Sequence, residues 1–127
     1  QYGTFTSNAA VVLTSANLSL GAYQEKQYSL GTTSGNLAIN YNNGTVQTAT
    51  LNGDIQLWSN NFTNFIAGRS ISLILTQDAT GSHVLNTTNL KYAGGVNTLS
   101  TAANSIDVMN IYYDGTNYLT SLVKGYV

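Results

Sequence analysis

Six side chains could carry acid–base or metal chemistry: the single histidine, His83, and the carboxylates Glu25, Asp54, Asp78, Asp107 and Asp114. Cysteine is absent, so thiolate nucleophiles, disulfides and thiolate metal sites are unavailable. His83 could act as a general base, with Asp78 as its nearest carboxylate in sequence. One histidine and one carboxylate fall short of the ligand set a zinc ion takes. Glycoside hydrolysis needs two carboxyls about 5–10 Å apart. Asp78 and Asp114 sit in Asp-Ala-Thr-Gly and Asp-Gly-Thr turns and could meet at one end of a sheet as such a pair. The simpler reading is that each carboxylate bonds the backbone of its own turn. Asp107 stands among apolar residues in Ile106-Asp-Val-Met-Asn-Ile111; it could pair with Arg69 or Lys91 or face a subunit interface, and the structural ion pair is the favoured reading. No Gly-x-Ser-x-Gly frame surrounds a serine, and Asp78-Ala-Thr-Gly81 lacks the alternating carboxylates of a calcium loop. No catalytic residue, cofactor site or metal site is therefore assigned.

Contact chemistry is better supplied. The chain has nine tyrosines and one tryptophan. Exposed Tyr and Trp present an apolar face and a polar tip, which suits protein or sugar contacts. The candidate contact residues are Trp58, Tyr92, Tyr112, Tyr113 and Tyr118. Tyr112 and Tyr113 are adjacent in a strand-like run, so one faces the core and the other faces solvent or a partner. For any one of the five, cross-strand packing is the simpler role.

Strands and turns must position these residues. No helical period is sustained over ten residues. Asn36-Leu-Ala-Ile-Asn-Tyr-Asn42 alternates as a half-buried strand, and Asn43-Gly44 reads as a hairpin turn into a return strand from Thr45 to Asn52. Asn52-Gly53 reads as another turn, with a new strand opening at Asp54. Residues 59–68 form a loop plugged onto the body by Phe62, Phe65 and Ile66. Arg69 to Gln77 is the most apolar run and predicts a central strand covered on both sides. Gly94-Gly95 marks a corner, and residues 105–113 and 117–123 predict a hairpin around a type I′ Asp114-Gly115 turn. Turn signals about every 8–12 residues predict a single all-β domain, an antiparallel β-sandwich or jelly roll, over residues 37–127. Residues 1–36 read as a strand arm or a connection.

Composition narrows the function. At 127 residues the chain has the length of one domain. Charged residues are only 7%, against about 25% in ordinary domains. Polarity comes instead from neutral amides and hydroxyls, which cost less to bury than charges and so suit a surface that packs against copies of itself. The four basic residues, Lys26, Arg69, Lys91 and Lys124, form no cluster, which sets nucleic-acid binding aside. No run of about 18 apolar residues predicts a membrane span. Four Asn-x-Ser/Thr sequons occur, no more than this Asn-, Ser- and Thr-rich composition produces by chance.

One resemblance rests on the order and spacing of several pieces. They are Leu75-Thr-Gln-Asp-Ala-Thr-Gly81, Lys91-Tyr-Ala-Gly-Gly95, Thr98 to Asn104, Ile106-Asp-Val108 and Tyr113-Asp-Gly-Thr116, preceded by Ala67-Gly-Arg-Ser70. Together they resemble a β-rich module of tailed-phage virion proteins, notably tail fibres. Members often carry Trp and Pro in the corner; this chain has Tyr92 and no proline. The resemblance implies a non-enzymatic structural protein on the virion surface, often trimeric, with other virion proteins and a host glycan or protein as partners. A fibre or receptor-binding role comes first and capsid decoration second. The rivals from other classes are a carbohydrate-binding module and a depolymerase tip.

Overall fold

The structure is a computed structural model that describes residues 3–127. Its strands are β1 (Gln27–Asn36), β2 (Ile39–Asn40), β3 (Val46–Trp58), β4 (Phe62–Thr63), β5 (Arg69–Gln77), β6 (Leu85–Thr88), β7 (Lys91–Tyr92), β8 (Ile106–Tyr113) and β9 (Tyr118–Tyr126). Residues 3–26 carry no strand. The all-β single domain expected from the turn spacing is present. Its main sheet runs β1-β3-β5-β8-β9-β7, with β6 pairing β3 and a separate β2–β4 pair.

The pairing is mixed rather than antiparallel. β1–β3, β3–β5, β3–β6, β7–β9 and β2–β4 are parallel; β5–β8 and β8–β9 are antiparallel. Parallel neighbours require crossovers. For β1–β3 and β3–β5 the crossovers are loops carrying β2, β4 and the 3-10 turns Tyr41–Asn43 and Ser59–Asn61; β5 lies between β3 and β6 in the chain, and β8 between β7 and β9. The Asn43-Gly44 hairpin is therefore absent. Asn43 closes a 3-10 turn, and the strand after it pairs with β1 and β5, not with the strand before it.

Asn52-Gly53 is a corner inside one continuous strand. Leu51 pairs with Gln77, at the C-terminal end of β5. Phe62 nevertheless stacks on Tyr118 at 4.5 Å, beside Tyr113, which pairs with Arg69 at the opposite end of β5. Eight residues of β5 span about 26 Å, so the second half of β3 must fold back over the sheet. β1 follows it, shifting register between Thr33 and Gly35 where Ser34 crowds Gly53. One sheet thus supplies both layers.

The core lies between those layers. Leu51, Ile55, Leu57, Leu73, Met109 and Ile111 are all fully buried. β5 alternates strictly, with Ile71, Leu73, Leu75 and Gln77 buried and Ser70, Ser72, Ile74 and Thr76 outward. One face of this strand is covered, not two. Its outward residues are small hydroxyls apart from Ile74, which explains how an apolar run can sit in a half-open sheet.

Two buried polar side chains fasten the long 78–105 excursion. The Gln77 amide donates to His83 O at 2.8 Å and Ser100 O at 3.0 Å, and accepts from His83 N at 3.1 Å. Asp107 accepts from Ser100 N at 2.7 Å and Gly125 N at 2.8 Å. The expected ion pair of Asp107 is not formed. Arg69 instead lies over the Tyr41 ring at 4.6 Å and donates to Asn64 O at 2.6 Å. The β8–β9 bulge frees the Gly125 N–H, and a carboxylate on the facing strand takes it.

Candidate functional site

The chemistry-bearing residues are scattered. Asp78 follows the C-terminal end of β5, whereas Asp114 follows Tyr113, paired with Arg69 at the N-terminal end. Nine residues of strand separate the two ends, about 30 Å. The pair cannot flank one glycosidic bond. Each carboxylate bonds its own turn instead. Asp78 Oδ1 accepts from Thr80 N at 2.9 Å and Gly81 N at 3.1 Å, and Asp114 Oδ1 from Thr116 N at 2.8 Å and Asn117 N at 2.6 Å.

His83 Nε2 lies 2.9 Å from Asp78 Oδ1. That hydrogen bond, helped by the Gly81 and Thr80 N–H groups, holds the Asp78 carboxyl below the usual carboxylate range. The Asn117 and Thr116 N–H groups do the same for Asp114. Among the described residues, no group of three or more His, Cys, Asp or Glu side chains could hold a metal. No described helix is long and apolar enough to cross a membrane.

The aromatic residues are gathered. Tyr118 stacks between Phe62 and Tyr113, at 4.5 Å from each ring centroid. Phe65 meets Phe62, Tyr118 and Tyr41 edge-on at 5.3, 5.8 and 5.5 Å. Burial, followed by the neighbouring Tyr113, pushes the Tyr118 phenol up. Phe62 and Phe65 plug the loop as expected, but Ile66 stays exposed. Beside this ladder a shallow groove is lined by Ser59, Asn89, Lys91, Thr116, Asn117 and Tyr118. Its amides, hydroxyls and single cation suit polar contacts.

The five candidate residues divide by location. Tyr113 and Tyr118 join the ladder. Trp58, 38% exposed, ends β3 next to the groove residue Ser59. Tyr92 is half-buried beside Lys91, its phenol pushed up by burial and bonded to Thr87 Oγ1 at 2.8 Å. Tyr112 stands alone on the opposite sheet face, 45% exposed, across from Leu119. The adjacent tyrosines thus point to opposite faces, Tyr113 into the ladder and Tyr112 outward. Sequence reasoning missed Gln77 and the groove amides Asn89 and Asn117. Only the position of Gln77 at an inward strand register could have drawn attention to it.

A folded-over sheet with separated carboxylates and gathered aromatics defines an all-β domain. The family model described as "Putative phage tail fibre C-terminal domain" matches residues 31–118. The chain belongs to this family and is a phage tail-fibre domain, a structural component of the virion. No curated protein and no solved structure matches it.

Proposed function

We propose that the chain is a non-enzymatic, outward-facing module of a tail fibre that assembles as a homotrimer and contacts a host surface glycan or protein. One observation carries the contact role: the groove beside the aromatic ladder, lined by Asn89, Thr116, Asn117 and Tyr118, with the exposed Trp58 next in sequence to its residue Ser59. An exposed indole near the Asn89 amide and the Thr116 hydroxyl can hold a polar or peptide ligand without charge. The segment ahead of β1 would link this module to the rest of the fibre.

The test is competition for adsorption. Purified chain should block adsorption of the source phage to its host, and Trp58→Ala and Asn117→Arg should lose that block while keeping the wild-type circular dichroism spectrum. Full blocking by both variants would move the contact elsewhere. Failure of the wild-type chain to block, with gold-antibody label on the head rather than the tail, would favour capsid decoration.

A further inference from the structure

The outward face of the main sheet is open and nearly free of charge. Its central positions are Ser72, Ile74, Thr76, Val108, Asn110 and Ser121, with Val123, Tyr112 and Leu119 the most exposed at 47%, 45% and 43%. No Asp, Glu, Lys or Arg occupies an outward position of β3 from Val46 to Thr50, of β5 from Ser70 to Thr76, of β8 from Val108 to Tyr112 or of β9 from Leu119 to Val123. Ordinary solvated sheet faces carry Lys, Glu and Arg. A hydroxyl- and β-branched face without them is cheap to desolvate.

The N-terminal segment has the same character. Residues 3–24 contain no charged side chain. They include Phe5, Val12, Leu18 and Tyr23, exposed by 81%, 72%, 68% and 76%. A segment this apolar with no strand of its own is unlike a solvated linker, which is polar or charged. The segment also arrives at the open face. Glu25, its first charged residue, lines a groove there with Ser70, Ser72, Asn110, Tyr112 and Ser121.

We propose that residues 3–24 of one copy cover the open sheet face of a neighbouring copy, so that the module assembles by exchanging N-terminal segments. The segment's apolar side chains stand clear of their own sheet, which favours a neighbour's face over their own. Size points the same way. Four strands about 4.8 Å apart, with three to four outward rows about 6.7 Å apart, present roughly 400–500 Å². A stable interface needs about 800 Å² per partner, so the bare sheet face falls short and the segment supplies the difference. The inference rests on the homo-oligomer part of the proposed function and says how the copies join.

The full-length chain tests it. Val12→Asp with Leu18→Asp charges the segment, and Ser121→Arg charges the face; none of these side chains is in the core, so each variant should keep the wild-type circular dichroism spectrum. Sedimentation velocity should show an oligomer for wild type and its loss in both variants. An intact oligomer in either variant would overturn the exchange while leaving assembly standing. A monomeric wild-type chain would overturn both readings. The partner is checked separately with Leu18→Cys carrying a benzophenone, mixed with excess ¹⁵N-labelled wild-type chain. Crosslinks to labelled β5, β8 or β9 are expected. Crosslinks confined to the probe's own chain, or to other surfaces, would overturn the proposal.

Discussion

Asp107→Asn should destabilise the domain by about 2–4 kcal/mol, a value that follows from two short hydrogen bonds. Each oxygen of this buried carboxylate accepts one backbone N–H, Ser100 at 2.7 Å and Gly125 at 2.8 Å. An amide offers one oxygen and one NH₂. One N–H keeps an acceptor; the other faces a donor and is left buried and unsatisfied. A hydrogen bond to a charged group contributes about 1.5–3 kcal/mol, and an orphaned buried donor costs a further 1–3. Partial relaxation of the 98–105 loop brings the total to the stated range. For a domain of this length about 3 kcal/mol lowers Tm by roughly 12 °C. Thermal and urea unfolding should be followed by circular dichroism at one fixed protein concentration, because assembly makes Tm concentration-dependent. A change below about 0.5 kcal/mol would refute the reasoning, since that is the scatter of surface substitutions. The ion-pair alternative is separable. Arg69→Gln combined with Asp107→Asn should be additive within about 0.5 kcal/mol, and measured coupling above that would restore a charge link.

Gln77→Glu should be at least as damaging, because it turns a carboxylate toward the His83 and Ser100 carbonyls where the amide donates; urea unfolding within about 0.5 kcal/mol of wild type would contradict this. Gly81→Ala should cost about 2 kcal/mol or more, since φ is +70° and the new Cβ would lie 2.6 Å from Thr101 O and 2.8 Å from Ala103 N; an unchanged Tm would show that the 101–103 backbone yields freely. The Asp114 carboxyl, held down by the Asn117 and Thr116 N–H groups, should give the hairpin stability that is complete above the ordinary aspartate value of about 3.9. That stability is lost as pH falls through the lower folded value. The Asn117 amide shift should titrate with a midpoint below that of an aspartate peptide, and a midpoint at or above it would refute the cap.

What could be read from the residues was what depends on neighbours in sequence. The Asp78 and Asp114 caps, the β8–β9 hairpin and the span of β5 are local, and each appears as expected. Asn43-Gly44 and Asn52-Gly53 misled because Asn-Gly reports a backbone able to reach positive φ, not which strand comes next. In this fold Gly44 has φ +151° after a 3-10 turn, and Gly53 sits where a bent strand meets Ser34. Even the correct Asp114 hairpin is not type I′, since Gly115 alone has positive φ there. Parallel pairing is a long-range choice with no local mark. The same holds for the partner of Asp107, set by a bulge eighteen residues away. At the candidate site, alternation separated Tyr112 from Tyr113, whereas the meeting of Tyr113 and Tyr118 with Phe62 required the fold-back of β3.

That fold-back also ties composition to assembly. A sheet that doubles over itself buries one face on its own core and leaves the other to water or to a partner. Evolution can keep such a face solvated by placing Lys and Glu on it. Here its central strands carry Ser, Thr, Asn, Ile, Val and Tyr instead, with charge only at its margins, at Glu25 and at Lys91 beside Leu119; the other charged residues include Arg69 on the ladder, Asp78 and Asp114 in turns and Asp107 in the interior. The scarcity of charge is therefore concentrated where a second layer is missing. An apolar, uncharged segment of the same chain begins at that face. A single economy, hydroxyls in place of charges, would then serve both the sheet's outer layer and the segment that closes it.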